Sequence, residues 1–271
     1  DKLYKWQEEN HALGSLPSSR DSLLLSLDAN NSYKGYYISK QNSVSLGFGC
    51  SKSKNHNNVF FNTNVSIGYK SEKLDYRNSL LNTSVKQYNW VAGLSLNMGF
   101  TINKYSFYGT ITSKMETPDL YSKITRSDNS NPLAISLGNP NLKNSRKTDI
   151  SLTFSANNNR RFNLPMAFIN ININQNAVAN GFTYNPTTGV YTYKPQNVKG
   201  NWYGNIGLYE TFPLDNKNNF TLVNAIVYSY NHNVDFTGVT GQTESMLSKV
   251  NNHWLEDNLS LNYQKAVSYT H

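Results

Sequence analysis

The sequence predicts an all-β protein built from antiparallel strands. Three observations support this fold class: apolar and polar residues alternate over much of the chain, only 15% of residues are charged, and 19 tyrosines lie among many asparagine and serine residues. A soluble domain normally has about a quarter of its residues charged, and a disordered chain is charge-rich and poor in aromatic residues. The composition therefore indicates an ordered β-protein with largely uncharged polar surfaces.

Alternation with a period of two marks each strand, because successive side chains of a strand point to opposite faces. It is clear in SVSLGFGCS, where the apolar residues and Cys50 fall on the even positions. In chain order, we predict strands at residues 21–28, 32–39, 43–53, 58–70, 85–101, 104–114, 146–156, 163–181, 190–212, 219–234 and 253–267.

The same pattern recurs along the chain, with an apolar set facing Ser, Asn, Gly or Thr. These sets are Val44, Leu46, Phe48 and Cys50; Phe61, Val65, Ile67 and Tyr69; Trp90, Ala92, Leu94, Leu96, Met98 and Phe100; Ile150, Leu152 and Phe154; Ile169, Ile171 and Ile173; and Leu259, Leu261 and Tyr263. Each strand is thus expected to have one apolar and one polar face.

The character of the polar face favours a membrane barrel over a soluble sandwich. Soluble sheets usually place Lys, Glu and Arg outward, whereas no charged residue occurs between Gln87 and Asn103. Aromatic residues also gather near predicted strand ends, as the interfacial girdles of membrane barrels do. They are Tyr88 and Trp90 against Phe100, and Trp202 and Tyr203 against Tyr209 and Phe212. A membrane barrel faces lipid with its apolar side and its lumen with the polar side.

Connection lengths alternate along the chain. The short connections are KNHNN, INK, ANNNRR and PLDNKN, and the long ones are SEKLDYRNSLLNTS, residues 115–145, TYNPTTG and TGVTGQTESMLSKVNN, with the brief SKQN as an exception. Outer-membrane barrels have short periplasmic turns and long extracellular loops. The sequence therefore predicts an antiparallel up-and-down transmembrane β-barrel whose long extracellular loop is 115–145.

The chain is expected to be part of a larger barrel. About eleven strands are predicted, whereas bacterial single-chain barrels close with an even number, and the chain ends AVSYTH without a terminal aromatic residue. We treat residues 1–20 as a lead-in and 21–271 as the barrel fragment. The start, DKLYKWQEEN, lacks a signal-peptide pattern, and no apolar run reaches the roughly 18–20 residues of a membrane helix.

The net charge of +8 does not indicate a nucleic-acid partner, because lysines and arginines are scattered singly and the tightest pair lies in NNNRRFN. The single cysteine excludes an intramolecular disulfide. On the alternation, Cys50 is a small buried or lipid-facing residue. We therefore expect no nucleic acid among the partners.

No catalytic motif is present, and we expect neither an enzyme nor a cofactor or metal site. The five histidines lie in separate turns and ends. Glu116 and Asp119 share a loop and are interpreted as solvated residues. Glu210, a carboxylate within a strand, must face the lumen or an interface, and we favour a position at the membrane boundary.

The region from Asn89 to Phe154 resembles the C-terminal barrel of TonB-dependent outer-membrane receptors. The resemblance is carried by YGTITSKMETPDLYSKI, in which a strand precedes a P-x-L segment, and by NPLAISLGNPNLKNSRKTDISLTF, in which a G-N-P-x-L-K run leads into a strand. The later NVKGNWYGNIGLYETFPLDNKNNFTL is similar to the following long strand, short turn and return strand. The overall pattern is most similar to the branch known as the outer-membrane β-barrel protein family.

The resemblance implies a receptor in the bacterial outer membrane that takes up a nutrient such as a siderophore complex, a glycan or a peptide. Its partners would be outer-membrane lipid, the ligand, and the TonB complex acting through a plug domain not present in this chain; about half of the family's roughly 22 strands are also missing. Candidate ligand-facing residues are Tyr121, Arg126 and Asp128 in the long loop. The alternatives are a passive outer-membrane pore and a non-membrane surface β-protein acting as an adhesin or binding module.

Overall fold

A computed structural model of the chain describes residues 2–3, 32–55, 57–128, 131–156, 165–216, 219–238 and 243–264. Its elements are β1 (Lys2–Leu3), β2 (Tyr33–Lys54), β3 (Asn57–Arg77), β4 (Asn82–Ile102), β5 (Tyr105–Glu116), α1 (Leu120–Lys123), β6 (Ser127–Asp128), β7 (Ala134–Leu137), β8 (Ser145–Ala156), β9 (Met166–Gln175), β10 (Ala177–Asn185), β11 (Val190–Val198), β12 (Asn201–Pro213), β13 (Phe220–Thr237) and β14 (Met246–Tyr263). Among the described residues, no helix has the length and apolar character required to cross a membrane.

Most of the strands form one antiparallel sheet with the order β1-β2-β3-β4-β5-β8-β9-β12-β13-β14. Strands that follow one another in the chain lie side by side, except where β6–β7 and β10–β11 are inserted. The all-β, antiparallel, up-and-down prediction is confirmed. Within the described residues β14 pairs with β13 alone, so the sheet is open.

The connections sort to two ends of this main sheet. One end, here the short-turn end, carries the β2–β3, β4–β5, β8–β9 and β12–β13 connections. The other, the long-loop end, carries the β3–β4, β5–β8, β9–β12 and β13–β14 connections. The β3–β4 connection is shorter than predicted, because both strands continue beyond the predicted ends at Tyr76–Arg77 and Asn82–Thr83.

The prediction of separate strands at 32–39 and 43–53 is wrong, since β2 runs unbroken through SKQN. Gln41 and Asn42 pair with Lys70 and Tyr69 of β3, which is long enough to continue the ladder. Polar residues at these positions do not break a strand when a partner strand is present. The predicted strand 21–28 lies outside the described residues.

Two predicted long strands are each divided in two. The 163–181 strand breaks at Asn176, which has a φ of 55°, and the 190–212 strand breaks at Gly200, which has a φ of +106°. A β-ladder requires negative φ, so these residues turn the chain out of the main sheet. The excursion between them forms the β10–β11 hairpin.

A second sheet of four strands, in the order β10-β11-β7-β6, stands at the long-loop end. The β10–β11 and β6–β7 pairs are antiparallel, whereas β7 and β11 are parallel. The predicted loop 115–145 therefore contains α1, β6 and β7. Two long connections are folded together here as one structure.

One face of the main sheet is largely apolar in each of the nine long strands, although Glu210, Asn224 and Asp257 of β12–β14 also lie on it. Residues opposite one another in an antiparallel ladder share a face, so the register defines rows across the sheet. One such row is Phe48, Thr63, Leu96, Ile111, Ile150, Ile171, Gly204, Tyr230 and His253. Side chains on this face are uncovered, with Leu46 77% and Leu255 73% exposed. An apolar surface this extensive marks a contact surface for lipid or for another protein.

Aromatic rings pair at both ends of the apolar face. With their ring-centroid distances, the pairs are Tyr69–Trp90 (5.3 Å) and Trp202–Tyr230 (4.7 Å) toward the long-loop end, and Phe100–Phe107 (5.3 Å) and Phe220–Tyr263 (4.7 Å) toward the short-turn end. Two residues expected in these rows, Tyr203 and Tyr209, lie instead on the polar face, because they alternate with Trp202 and Leu208. Cys50 is exposed on the apolar face, opposite Phe61.

The opposite face is mostly polar, and most of its polar residues are uncharged. One row is Gly49, Asn62, Asn97, Thr110, Ser151, Asn170, Asn205 and Ser229, and it ends at Trp254 of β14. Buried apolar side chains are few among the described residues, and most of them form two clusters at the long-loop end. The clusters are Leu74, Tyr76, Leu120 and Ile124, and Ala177, Val198 and Val234.

The main sheet is thus a two-faced wall whose packed interior lies at its long-loop end. Leu74→Ala is expected to lower the free energy of unfolding by about 2–4 kcal/mol, because Leu74 is fully buried against the 117–144 segment. The matched control Leu80→Ala, at a residue 74% exposed, is expected to change it by less than about 0.5 kcal/mol. Urea titration followed by tryptophan fluorescence measures both, and equal effects would contradict the assignment of the core.

Candidate functional site

The candidate site is the rim, a name used here for segments 117–144 and 176–200 at the long-loop end. The first rim segment packs against the polar face of β2–β4 near its long-loop end. Leu120 and Ile124 contact Leu74 and Tyr76, which share the polar face of β3 with Glu72. The rim therefore covers part of the polar face.

Glu72 is the centre of a hydrogen-bonded group on this face, and its side chain is only 4% exposed. Its Oε1 accepts a hydrogen bond from the Tyr37 hydroxyl and pairs with Lys70 Nζ at 2.9 Å. Its Oε2 accepts hydrogen bonds from Gln87 Nε2 at 2.8 Å and from Thr117 Oγ1 at 3.0 Å. The carboxylate thus joins three wall strands to the first residue of the rim.

The partners of Glu72 extend this network into the rim. Gln87 Nε2 also donates to the Pro118 carbonyl at 3.0 Å, and Lys123 Nζ donates to Gln87 Oε1 at 3.3 Å. Lys70 Nζ donates to Thr117 Oγ1 at 2.8 Å. The start of the rim and the end of α1 are therefore fixed to the same two wall strands.

These contacts lower the pKa of the Glu72 carboxyl. Burial by itself would raise that pKa, but hydrogen bonds from Tyr37, Lys70, Gln87 and Thr117 favour the charged form and outweigh burial. The pKa of Tyr37 is raised, first by burial and then by its hydrogen bond to the carboxylate. Glu72 is therefore ionised at neutral pH, and its negative charge is what its donors require.

Beside this network, Arg126 lies over two tyrosine rings. Its guanidinium carbon is 5.5 Å from the Tyr33 ring centroid and 5.7 Å from that of Tyr76. The Tyr121 ring lies 5.7 Å from Tyr33 and 6.4 Å from Tyr76. Burial, followed by the neighbouring Tyr33, raises the pKa of Tyr121. This arrangement is a cation–π contact within an aromatic cluster.

The structure therefore brings together two of the three predicted ligand-facing residues. Tyr121 and Arg126 meet at the same tyrosine pair, where both contribute to holding the rim. Asp128 lies apart from them in β6, opposite Ser136 of β7. Whether any of the three contacts ligand stays a prediction.

The segment NPLAISLGNPNLKN, which lies in the predicted long loop 115–145, contains the strand β7. Gly138 in this segment is required for space, because a Cβ there would overlap the Ile124 carbonyl oxygen. The neighbouring Asn139 donates its backbone N–H to the Ser122 carbonyl at 2.7 Å. The chain here passes directly against the segment that follows α1.

Two asparagines join the two rim segments. Asn139 Nδ2 donates to the Pro195 carbonyl at 2.7 Å. Asn197 Oδ1 accepts from the Lys143 backbone N–H at 2.8 Å, and Asn197 Nδ2 donates to the Lys143 carbonyl at 3.1 Å. With the parallel β7–β11 pairing, these bonds make the rim one unit.

An aromatic face, defined by Phe182, Tyr184, Tyr191 and Tyr193, occupies one side of the β10–β11 hairpin. Phe182 is opposite Tyr193 and Tyr184 is opposite Tyr191, so all four rings share that side. Ring centroids are 4.7 Å apart for Tyr184–Tyr191 and 5.5 Å apart for Phe182–Tyr191. Tyr191 is 38% exposed and the other three are half-buried.

Away from the rim, the polar face is hydrogen-bonded between neutral side chains. Ser151 Oγ donates to Asn170 Oδ1 at 2.7 Å, and Asn170 Nδ2 donates to Asn205 Oδ1 at 3.0 Å. Asn205 Nδ2 donates to the Tyr203 hydroxyl at 3.1 Å, which donates to Ser229 Oγ at 3.3 Å. This chain of bonds crosses four strands and fixes the wall side chains.

The other carboxylates singled out in the sequence lie outside the Glu72 network. Glu116 pairs with Lys114 at 3.0 Å at an exposed position. Glu210 lies opposite Asn224 on the apolar face, three residues before β12 ends. In the part of the chain that the structure describes, no three His, Cys, Asp or Glu residues are grouped as metal ligands.

The sequence reasoning missed Glu72, although a signal for it was present. The apolar positions of β3 are odd up to Tyr69 and even from Leu74 onward, without a bulge in the register. When the apolar positions of a strand switch from one face to the other, the formerly polar face is covered by other residues beyond that point of the strand. The carboxylate at Glu72 stands at that change.

No protein-family model matches the sequence, and no curated protein matches it at a significant level. Among solved structures, the chain is similar to the siderophore receptor PirA from Pseudomonas aeruginosa, with a TM-score of 0.42 and 11% identity over 88% of this chain and 56% of PirA. It is also similar to a mutant of the ferric enterobactin receptor PfeA from the same organism, with a TM-score of 0.39 and 9% identity over 84% of this chain and 47% of PfeA. The chain spans about half the length of these proteins.

Gly138→Ala is expected to release the rim, because the new methyl group overlaps a backbone carbonyl that cannot move independently of its neighbours. Amide exchange at Asn139 should accelerate as expected for a loss of about 1–3 kcal/mol or more. The control is Gly47→Ala, whose Cβ would meet Asn64 at an ordinary 3.6 Å. Unchanged exchange at Asn139 in the Gly138 variant would contradict the close approach.

Glu72→Gln is expected to loosen α1, since a neutral amide cannot replace a carboxylate that accepts four hydrogen bonds. Amide exchange at Ile124, which donates to the Leu120 carbonyl at 3.2 Å, should report a loss of about 1–3 kcal/mol at neutral pH. Because the pKa of Glu72 is lowered, its stabilisation is present above the ordinary carboxyl pKa and is lost as pH falls through the lowered value.

The variant and the unmodified protein should therefore exchange alike in strong acid. Glu116→Gln is the matched control, because the exposed ion pair between Glu116 and Lys114 contributes little to stability. A difference between Glu72→Gln and the unmodified protein that persists below the lowered pKa would show that the carboxylate charge is not the stabilising feature.

Proposed function

We propose that this chain forms part of the wall and rim of an outer-membrane receptor barrel that takes up a nutrient such as a siderophore complex, a glycan or a peptide. The observation that carries the proposal is the uncovered apolar face of the main sheet, bounded by aromatic rings at both ends. Lipid is the environment that such a face fits. The corresponding location is the bacterial outer membrane, and the first partner is its lipid.

The dimensions of the apolar face support this location. Phe100 and Trp90 mark its two ends on β4, and they are ten residues apart. Ten residues of strand extend about 33 Å, and a strand tilted by roughly 40° crosses about 25 Å of depth, which is the height of the apolar band in known barrels. The spacing of Phe212 and Trp202 on β12 is the same.

The polar face suits the lumen of such a barrel. Its asparagine, serine and threonine side chains are hydrogen-bonded to one another, so they are fixed and also wettable. A soluble packed sheet would bury one of its two faces in a core, whereas in the described part of this chain the clusters of buried apolar side chains lie at the long-loop end. The wall is therefore suited to contact water on one side and lipid on the other.

The rim supports a receptor over a passive pore or an adhesin. The network around Glu72 holds the first rim segment over the polar face. In a closed barrel that segment would narrow the entrance to the lumen. The rim would capture ligand, with Tyr121, Arg126 and Asp128 as candidate contacts. Energised passage would require the TonB complex, acting through a plug domain that is not part of these residues.

Neighbouring residues with opposite orientation test the membrane assignment. We consider two single-cysteine variants, Leu46→Cys and Ser45→Cys, each made in a Cys50→Ser background of the gene product that contains this chain. Each variant is labelled with an environment-sensitive fluorophore and reconstituted in vesicles. Brominated lipid should quench the fluorescence of the probe at position 46 and should not quench that of the probe at position 45. Aqueous iodide should instead quench the probe at position 45. Equal access of iodide to both probes would favour a non-membrane surface protein and reject the proposal.

Planar-bilayer conductance separates a receptor from a passive pore. A receptor whose entrance is covered should show no steady conductance, whereas a passive pore should conduct openly. Open conductance by the unmodified protein would reject the receptor function and leave the membrane assignment intact.

A further inference from the structure

We infer that the lysine cluster, a name used here for Lys40, Lys73 and Lys86, binds the phosphate groups of a lipid headgroup at the long-loop end of the wall. The three residues lie on β2, β3 and β4, on the same side of the main sheet as the apolar face. This inference rests on the proposed function, because it specifies which lipid meets one part of the barrel wall.

The lysine cluster is built on a pair of like charges. Lys73 and Lys86 are directly opposite each other in the β3–β4 ladder. Side chains in this position have Cβ atoms about 4.5–5.5 Å apart, and like charges there destabilise a sheet. Lys40 is opposite Ser71, so it stands diagonally beside Lys73. An anion bound between the ammonium groups would offset their repulsion.

The protein supplies little negative charge of its own at this place. Asp75 is the only carboxylate on this side of β2, β3 and β4, and it pairs with Lys73 at 2.6 Å. It also attracts Lys86, but neither Lys86 nor Lys40 forms a hydrogen bond or ion pair with another described residue. Three ammonium groups and one carboxylate leave a net charge of +2.

The depth of the lysine cluster matches a headgroup layer. Tyr88 is 58% exposed and stacks on Tyr69 with ring centroids 6.2 Å apart, and Lys86 follows two residues farther toward the long-loop end. Two residues of strand extend about 7 Å, or about 5 Å of depth at a tilt of roughly 40°. The headgroup layer on each side of a bilayer is about 5–7 Å thick. The ammonium groups therefore lie just beyond the aromatic boundary.

A lipid fits this surface better than a soluble anion does. Below the lysines, the same side presents Val44 and Ile67, which are 67% and 56% exposed and can contact acyl chains. The Glu72 network and the first rim segment lie on the opposite side of these strands. A solute inside the barrel would therefore not meet the lysine cluster.

The two ends of the apolar face differ in how their lysines are placed. At the short-turn end of β2, Lys52 and Lys54 also lie on this side, but they are opposite Val59 and Asn57. Like charges are thus not opposed at that end of the β2–β3 ladder. The leaflet at the long-loop end is accordingly the one that supplies the phosphate groups.

The test uses the intact gene product in detergent and diphosphoryl lipid A, a glycolipid with two phosphate groups, with bound lipid measured by native mass spectrometry. The unmodified protein should retain this lipid. The double variant Lys73→Gln/Lys86→Gln should bind it about tenfold or more weakly, because each lysine near an anionic lipid surface contributes about fivefold. Lys73→Arg/Lys86→Arg, which keeps both charges, should bind within about threefold of the unmodified protein.

Lys52→Gln/Lys54→Gln is the matched control, because it removes the same charge from the same side at the other end. It should leave binding unchanged. The same lipid stripped of its phosphates should bind about tenfold or more weakly, and micromolar inorganic phosphate should not displace diphosphoryl lipid A. Without lipid, the midpoint of thermal unfolding of Lys73→Gln/Lys86→Gln should be unchanged or raised, since opposed charges have been removed.

Four results would overturn the inference. They are retention of the lipid by Lys73→Gln/Lys86→Gln, an equal loss in the control, equal binding of the phosphate-free lipid, and displacement by inorganic phosphate, which would indicate a site for soluble anions. A lowered unfolding midpoint would also contradict it, because the lysines would then stabilise the sheet itself.

The probe at position 46 separates this inference from the proposed function. If that probe reports lipid while the lysine variants bind normally, the headgroup assignment fails and the membrane function stands. If the probe reports water, the membrane function itself has failed.

Discussion

The unbroken register of the antiparallel ladder is the constraint on which the rest of this molecule depends. From β2 to β14, most rows of the main sheet are predominantly apolar on one face and predominantly polar on the other, because opposite residues share a face. A shift of one residue in any pair would place asparagine among leucine and expose both faces to the wrong surroundings. The single register therefore produces a lipid-suited face and a polar wall at once.

The rim depends on that wall in turn. Its first segment is held by strand residues that present Glu72, Leu74 and Tyr76 in succession on one face. Three kinds of contact hold this segment to the sheet. They are the hydrogen bonds of the Glu72 carboxylate, the packed cluster around Leu74, and the contact of Arg126 with two tyrosine rings. The rim is consequently positioned by the sheet, and its second segment is positioned by the first through Asn139 and Asn197.

Glycine and asparagine decide where the wall ends and the rim begins. Asn176 and Gly200 adopt positive φ and divert the chain from the ladder, whereas Gly138 is needed only for the space beside Ile124. These roles are different, although the residues look alike in a sequence. The same distinction separates SKQN, which remains in a strand, from true turns of similar composition.

The sequence by itself determined the all-β class, the two faces of each strand and the ends at which long and short connections lie, because a period of two is a local property of the backbone. Tertiary structure decided features that the local pattern does not encode. It showed that β2 is one strand and that four aromatic residues of β10 and β11 lie on one side of their hairpin. It also showed that Tyr121 and Arg126 contact the same two tyrosines, whereas Asp128 lies in the second sheet. Each of these features depends on contacts between residues that are far apart in the chain. The structural role of a residue is therefore set by the partner that it meets. Glu72 is the clearest example, since its role exists only once four separate donors have been brought around it.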